Sequence, residues 1–104
     1  MSEWIEIGTI DDIPPLGSRI VKTGDGDIAI FRASDDRIFA IEDRCPHKGG
    51  PLSQGIVHGG RVTCPLHNWT IELETGRAVA PDKGCVKCYP LRIEGGSIFI
   101  KPER

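Results

Sequence analysis

The chain has 104 residues and a formal net charge of −2, with 13 Lys and Arg against 15 Asp and Glu. This length predicts one domain, residues 1–104, with a thin core, because a small domain buries a smaller share of its surface than a large one. The near-neutral charge without a basic run argues against a nucleic-acid partner, and no apolar stretch approaches the roughly 20 residues of a membrane span.

Short β-rich runs, separated by turns that contain glycine or proline, follow one another along the chain. No apolar pattern of helical period persists, and the only helical signal is a turn near Thr9–Ile13, which Pro14 ends. We predict strands at Trp4–Ile7, Ser18–Lys22, Asp27–Arg32, Ile38–Glu42, Ile56–His58, Arg61–Cys64, Trp69–Leu73, Val86–Ile93 and Ser97–Lys101. Many short strands of this kind predict an all-β fold, a small antiparallel sandwich or barrel.

The strand pattern is interrupted twice between about positions 43 and 81, each time at a Cys-Pro step. The first interruption reads Cys45-Pro46-His47 and the second reads Cys64-Pro65-Leu66-His67. We interpret them as two loops that project from strand ends and are joined by a hairpin turning at Gly59-Gly60. Residues 43–81 are therefore expected to form a metal-binding subdomain inside the single domain, with Ala78–Pro81 as a third, covering segment.

Each loop offers one cysteine and one histidine, as C-x-H and then C-x-x-H. A Rieske-type [2Fe-2S] cluster uses two thiolates on one iron and two imidazoles on the other. The two loops supply this set with approximate two-fold symmetry, Cys45 and Cys64 for the inner iron, His47 and His67 for the outer one. The function that this chemistry predicts is one-electron transfer.

A structural zinc site is the alternative, because Cys₂His₂ zinc uses the same four side chains. Zinc sites usually pair ligands of one type locally, whereas each pair here mixes cysteine with histidine. The N-terminus lacks the basic and apolar regions of a signal peptide, so we expect a cytoplasmic protein, in which cysteines bind metal more often than they form disulfides. A zinc-stabilised interaction module, which would have no redox function, remains the alternative at this point.

The remaining chemically distinctive residues receive plainer interpretations. Cys85 and Cys88 form a C-x-x-C at the start of a predicted strand, where residues three apart point to opposite faces. We therefore expect one buried and one half-exposed thiol rather than a second site. His58, beside the Gly59-Gly60 turn, is expected at the surface. Trp69 either packs in the core, shields the cluster or lies on a docking face.

At these residues the sequence resembles the Rieske family. The matching segments are CPHKGGPLSQG at 45–55, CPLHNW at 64–69, ETG at 74–76 and APDKGC at 80–85. Within the family, they are most similar to the small subunit of assimilatory NAD(P)H-dependent nitrite reductase. Rieske ferredoxins of aromatic-ring dioxygenases share the scaffold and the ligand loops.

The resemblance implies one [2Fe-2S] cluster per chain and a redox protein as partner. That partner would be a nitrite reductase large subunit carrying flavin and siroheme, or else a flavin reductase and an oxygenase. No substrate site of its own is visible in the chain. High-potential Rieske proteins carry a loop-bridging disulfide and a hydroxyl side chain near the cluster sulfur, where this chain has Gly50, Leu66 and Trp69. Fewer hydrogen bonds to sulfur predict a low reduction potential.

Overall fold

The computed structural model describes residues 4–23, 26–44, 51–65, 69–79 and 84–101. The strands in these ranges are β1 Ile5–Thr9, β2 Ser18–Thr23, β3 Gly26–Arg32, β4 Ile38–Glu42, β5 Ile56–His58, β6 Arg61–Thr63, β7 Thr70–Glu72, β8 Leu91–Glu94 and β9 Ser97–Ile100. Short 3-10 turns occupy Ile10–Asp12 and Leu52–Gln54. Every predicted strand is present, and none of the helices in the described ranges has the length and apolarity needed to cross a membrane.

The described strands form three antiparallel sheets of three strands each, in the orders β1-β9-β8, β2-β3-β4 and β5-β6-β7. This confirms the predicted all-β, antiparallel class. His58 pairs with Arg61, so the chain reverses at Gly59-Gly60 as predicted, and Gly59 has a φ of 59° that suits glycine. Because β1 pairs with β9, both ends of the described chain lie in one sheet.

Strand β3 separates two apolar cores, because its residues from Ile28 to Phe31 are buried on both faces. Successive residues of this strand alternate between the two cores, with Ala29 and Phe31 in one and Ile28 and Ile30 in the other. The core that includes Cys64, called here the site core, comprises Ala29, Phe31, Ile41, Leu52, Val57, Val62, Cys64, Ile71, Leu73 and Val86. The other core, built on Ile28 and Ile30, packs β3 against the β1-β9-β8 sheet.

The eighth strand is shorter than predicted, since it begins at Leu91 rather than at Val86. Pro90 has no N–H to donate to a strand ladder, which explains why regular pairing starts after it. Residues 84–90 instead make isolated bridges, Cys85 with Arg77 and Cys88 with Ile41. This segment therefore pairs at one end with Arg77, which follows β7, and at the other end with strand β4.

Candidate cluster-binding site

Cys64 is the one predicted ligand within the described residues; Cys45, His47 and His67 lie outside them. It follows β6 directly, is fully buried in the site core and forms no disulfide. Neighbouring core side chains such as Val62 and Ile71 exclude water from it. Because this thiol has no disulfide partner, it is available to bind a metal, which takes it as the thiolate.

The described ends of the second loop are closed by a backbone hydrogen bond. The N–H of Cys64 donates to the carbonyl oxygen of Trp69 at 2.6 Å, directly beyond the Thr63–Thr70 pair of the β6–β7 hairpin. Trp69 is half-buried and packs against the site core. The structure thus assigns a packing role to Trp69, one of the alternatives that the sequence left open.

The described ends of the first loop are tied together by Asp43, a residue that the sequence analysis did not single out. Its carboxylate accepts hydrogen bonds from the N–H of Ser53 at 2.7 Å and from the Ser53 hydroxyl at 2.9 Å. The Ser53 carbonyl in turn accepts from the hydroxyl of Ser18 at 2.8 Å. No local motif joins side chains ten positions apart, so only the folded structure reveals this link.

Gly55 allows the two loop bases to approach each other. A Cβ at this position would overlap the carbonyl oxygen of Thr63, the residue before Cys64. Leu52, at the start of the same turn, is buried in the site core with Cys64. The described ends of both loops therefore share one core, and a glycine is required where their backbones meet.

The described start of the predicted third segment lies beside the base of the second loop. The N–H of Val79 donates to the carbonyl oxygen of Thr70 at 2.8 Å, and the N–H of Ala78 donates to that of Gly84 at 2.9 Å. Ala80 and Pro81 lie outside the described residues, so the covering role stays a prediction. The contact places the described start of this segment next to Trp69 and Thr70.

A polar chain runs along the exposed face of the β5-β6-β7 sheet. His58 is exposed, as predicted, and its Nε2 lies 2.6 Å from the Thr63 hydroxyl, which lies 3.2 Å from the Thr70 hydroxyl. These contacts join the three strands next to the base of the second loop. Across the described ranges, no three His, Cys, Asp or Glu side chains form a group that could hold a metal ion.

The prediction for the C-x-x-C pair was wrong. Cys85 and Cys88 are both exposed, and neither forms a disulfide. The alternation expected of a strand does not apply, because residues 84–90 make only isolated bridges. Partial burial of the Cys88 sulfur, 3.9 Å from the Glu74 carbonyl oxygen, raises the pKa of this thiol, and the nearby Cys85 raises it further.

Comparison with known proteins defines the class of this protein. The sequence model of the Rieske [2Fe-2S] domain matches residues 3–90. The chain belongs to the Rieske [2Fe-2S] family: its cofactor is a [2Fe-2S] cluster and its function is electron transfer. This confirms the predicted family and cofactor, and a zinc-stabilised module does not fit the family.

Three individual proteins show what this chain is similar to within the family. The chain is 37% identical over 101 residues to the anthranilate 1,2-dioxygenase ferredoxin subunit of Burkholderia cepacia, covering 96% of this chain and 93% of that protein. It is 32% identical to the E. coli protein NirD, with full coverage of both chains and a TM-score of 0.84. A protein assigned as the NADH-dependent nitrite reductase small subunit of Mycobacterium tuberculosis has the same fold, with a TM-score of 0.88 at 23% identity, covering 100% of this chain and 98% of that one.

Proposed function

We propose that Cys45, His47, Cys64 and His67 hold the cluster, with the thiolates on one iron and the imidazoles on the other. The observation that carries this proposal is the buried, unpaired Cys64 in a core shared with Leu52, which follows the first loop. The contact between Gly55 and Thr63 supports it, because it brings the bases of both ligand-bearing loops together. When bound, the cluster gains and loses one electron at a time.

The surrounding residues act by excluding water and by holding the loop bases in place. The site core covers Cys64 on its inner side, and Trp69 packs against that core. Asp43 and the Cys64–Trp69 backbone bond fix where each loop leaves the sheet. A rigid, dry ligand environment lowers the reorganisation that accompanies a change of charge.

The domain extent is part of the same proposal. We infer a single domain over residues 1–104 with a cluster-binding subdomain at about 43–81. The pairing of β1 with β9 supports one domain, since it joins the two ends of the described chain. The separate β5-β6-β7 sheet lies wholly within the proposed subdomain.

We further propose that the chain is the small subunit of an NAD(P)H-dependent nitrite reductase. Four sequence segments support this role, because they resemble that subunit beyond the four ligands: residues 45–55, 64–69, 74–76 and 80–85. The full-length similarity to NirD, at 32% identity, also supports it. In this role the chain passes electrons within a complex whose large subunit reduces nitrite.

A second candidate is a ferredoxin that carries electrons from a flavin reductase to a ring-hydroxylating oxygenase. The similarity to the anthranilate 1,2-dioxygenase ferredoxin subunit favours it, because 37% identity extends over nearly the whole of both chains. Both roles use the same cluster and differ in the protein that the chain meets.

Reconstitution with defined partners separates the two roles. The holoprotein is added without oxygen to a nitrite reductase large subunit with NAD(P)H and nitrite, and ammonium is measured. In a parallel assay it is added to a flavin reductase and a ring-hydroxylating oxygenase with substrate and oxygen. We expect ammonium formation that depends on the chain and is lost with the Cys64→Ser variant. Support of the hydroxylation alone would overturn the nitrite reductase proposal in favour of the ferredoxin.

A further inference from the structure

Two cysteines outside the proposed ligand set, three positions apart in the chain, are exposed at the surface. Cys85 and Cys88 are both exposed, whereas Val86 between them is buried in the site core. A regular strand would place residues 85 and 88 on opposite faces. Their shared exposure shows that this segment departs from strand alternation, and the two thiols are close enough for Cys85 to raise the pKa of Cys88.

Cys85 also lines an open cavity. The cavity has a volume of about 350 Å³ and is lined by Arg77, Ala78, Gly84 and Cys85. Arg77 and Cys85 are directly opposite each other in an antiparallel bridge, so their side chains lie on the same face. The guanidinium of Arg77 thus offers hydrogen-bond donors to a small polar molecule that reaches the Cys85 sulfur.

We propose that Cys85 and Cys88 form a redox-active dithiol, which a small hydroperoxide oxidises to an intramolecular disulfide. In the first step, the Cys85 thiolate attacks one peroxide oxygen, the O–O bond breaks, and the sulfur becomes a sulfenic acid while water or an alcohol leaves. In the second step, the Cys88 sulfur displaces the sulfenic hydroxyl as water. In total, two thiols and one hydroperoxide give one disulfide, one water and one further water or alcohol.

The surroundings of the two sulfurs assign their roles. Cys85 lines the cavity and faces Arg77, which makes it the thiol that meets the peroxide. The Cys88 sulfur lies near Gly76 and the Glu74 carbonyl oxygen, outside that set of lining residues. Its raised pKa reduces the thiolate fraction near neutral pH, which suits the resolving thiol rather than the attacking one.

Peptide mapping of the holoprotein tests the pair directly. Hydrogen peroxide is added anaerobically, and the visible absorption of the cluster is followed in the same sample. Trypsin cleaves after Lys83, Lys87 and Arg92, so the two cysteines fall in different peptides, 84–87 and 88–92. We expect these peptides to become disulfide-linked in protein that stays monomeric on a non-reducing gel, while the cluster absorption persists.

Single variants test the assigned roles. In Cys88→Ser the sulfenic acid at Cys85 persists and is trapped by dimedone, whereas in Cys85→Ser we expect labelling of Cys88 to be about tenfold slower. Because both side chains are exposed, either serine should fold. Equal labelling in the two variants, peptides linked only in dimers, or loss of the cluster before any linkage would overturn the proposal.

Discussion

Removing the Asp43 carboxylate should release the described ends of the first loop from each other. Asp43→Ala deletes two hydrogen bonds to Ser53, at 2.7 and 2.9 Å. A hydrogen bond to a charged group contributes roughly 1.5–3 kcal/mol, so two contribute about 3–6 kcal/mol. Solvent screening at this half-buried position lowers the expected loss in the free energy of unfolding to about 2–4 kcal/mol. Asp43→Asn keeps an acceptor for the Ser53 N–H, so its free energy of unfolding should fall by only about 1 kcal/mol.

This effect is measured as the rate at which the holoprotein loses its cluster at a fixed urea concentration. Because cluster loss is irreversible, a rate rather than an equilibrium free energy reports the stability. At tenfold per 1.4 kcal/mol, Asp43→Ala should lose its visible absorption at least about 25-fold faster than the wild type, and Asp43→Asn about 5-fold faster. Asp35→Ala is the matched control, since Asp35 also accepts one backbone and one side-chain hydrogen bond, both from exposed Arg37. Equal rates for Asp43→Ala and Asp35→Ala would refute the reasoning.

Four further predictions follow from the site and its surroundings. Cys64→Ser should abolish the visible spectrum, while Cys88→Ser should keep it; bleaching by Cys88→Ser would show that this thiol belongs to the site. Gly55→Ala should destabilise the holoprotein by about 1–3 kcal/mol in thermal unfolding, because its Cβ overlaps the carbonyl oxygen of the residue before Cys64. Alkylation of Cys88 should need a higher pH than that of a free cysteine peptide, and Cys85→Ser should lower its midpoint pH, because Cys85 contributes to the raised pKa; an unchanged midpoint would contradict that coupling. Rieske potentials span about −150 to +300 mV, and protein-film voltammetry should place this one at the negative end and nearly flat from about pH 6 to 8; a positive potential that falls with pH would indicate the quinol-oxidising branch.

The strands could be predicted because their signals are local. Alternating apolar residues and glycine turns such as Gly59-Gly60 define the hairpins, and β4 and β5 have the predicted bounds, Ile38–Glu42 and Ile56–His58. The eighth strand was predicted to begin too early, because its apolar residues start before Pro90. Pro90 has no N–H to donate, so regular pairing begins only at Leu91.

The candidate site was predictable only in its chemistry. The two mixed pairs, C-x-H and C-x-x-H, indicate the cofactor, whereas the link from Asp43 to Ser53 and the contact of Gly55 with Thr63 depend on tertiary approach between separate segments. The shared exposure of Cys85 and Cys88 was missed for the same reason. It follows from the bridges of residues 84–90 to two different partners, which no sequence period encodes.

The central claim, that the cluster is held by Cys45, His47, Cys64 and His67, is tested most directly by pulsed EPR of the reduced holoprotein. The protein is prepared with natural-abundance and with ¹⁵N-labelled histidine, so that histidine nitrogens coupled to the cluster spin can be identified. We predict a Rieske-type signal with two coupled histidine nitrogens per cluster, both changed by the label. A reduced cluster without histidine coupling, or a colourless protein that contains zinc, would contradict the account.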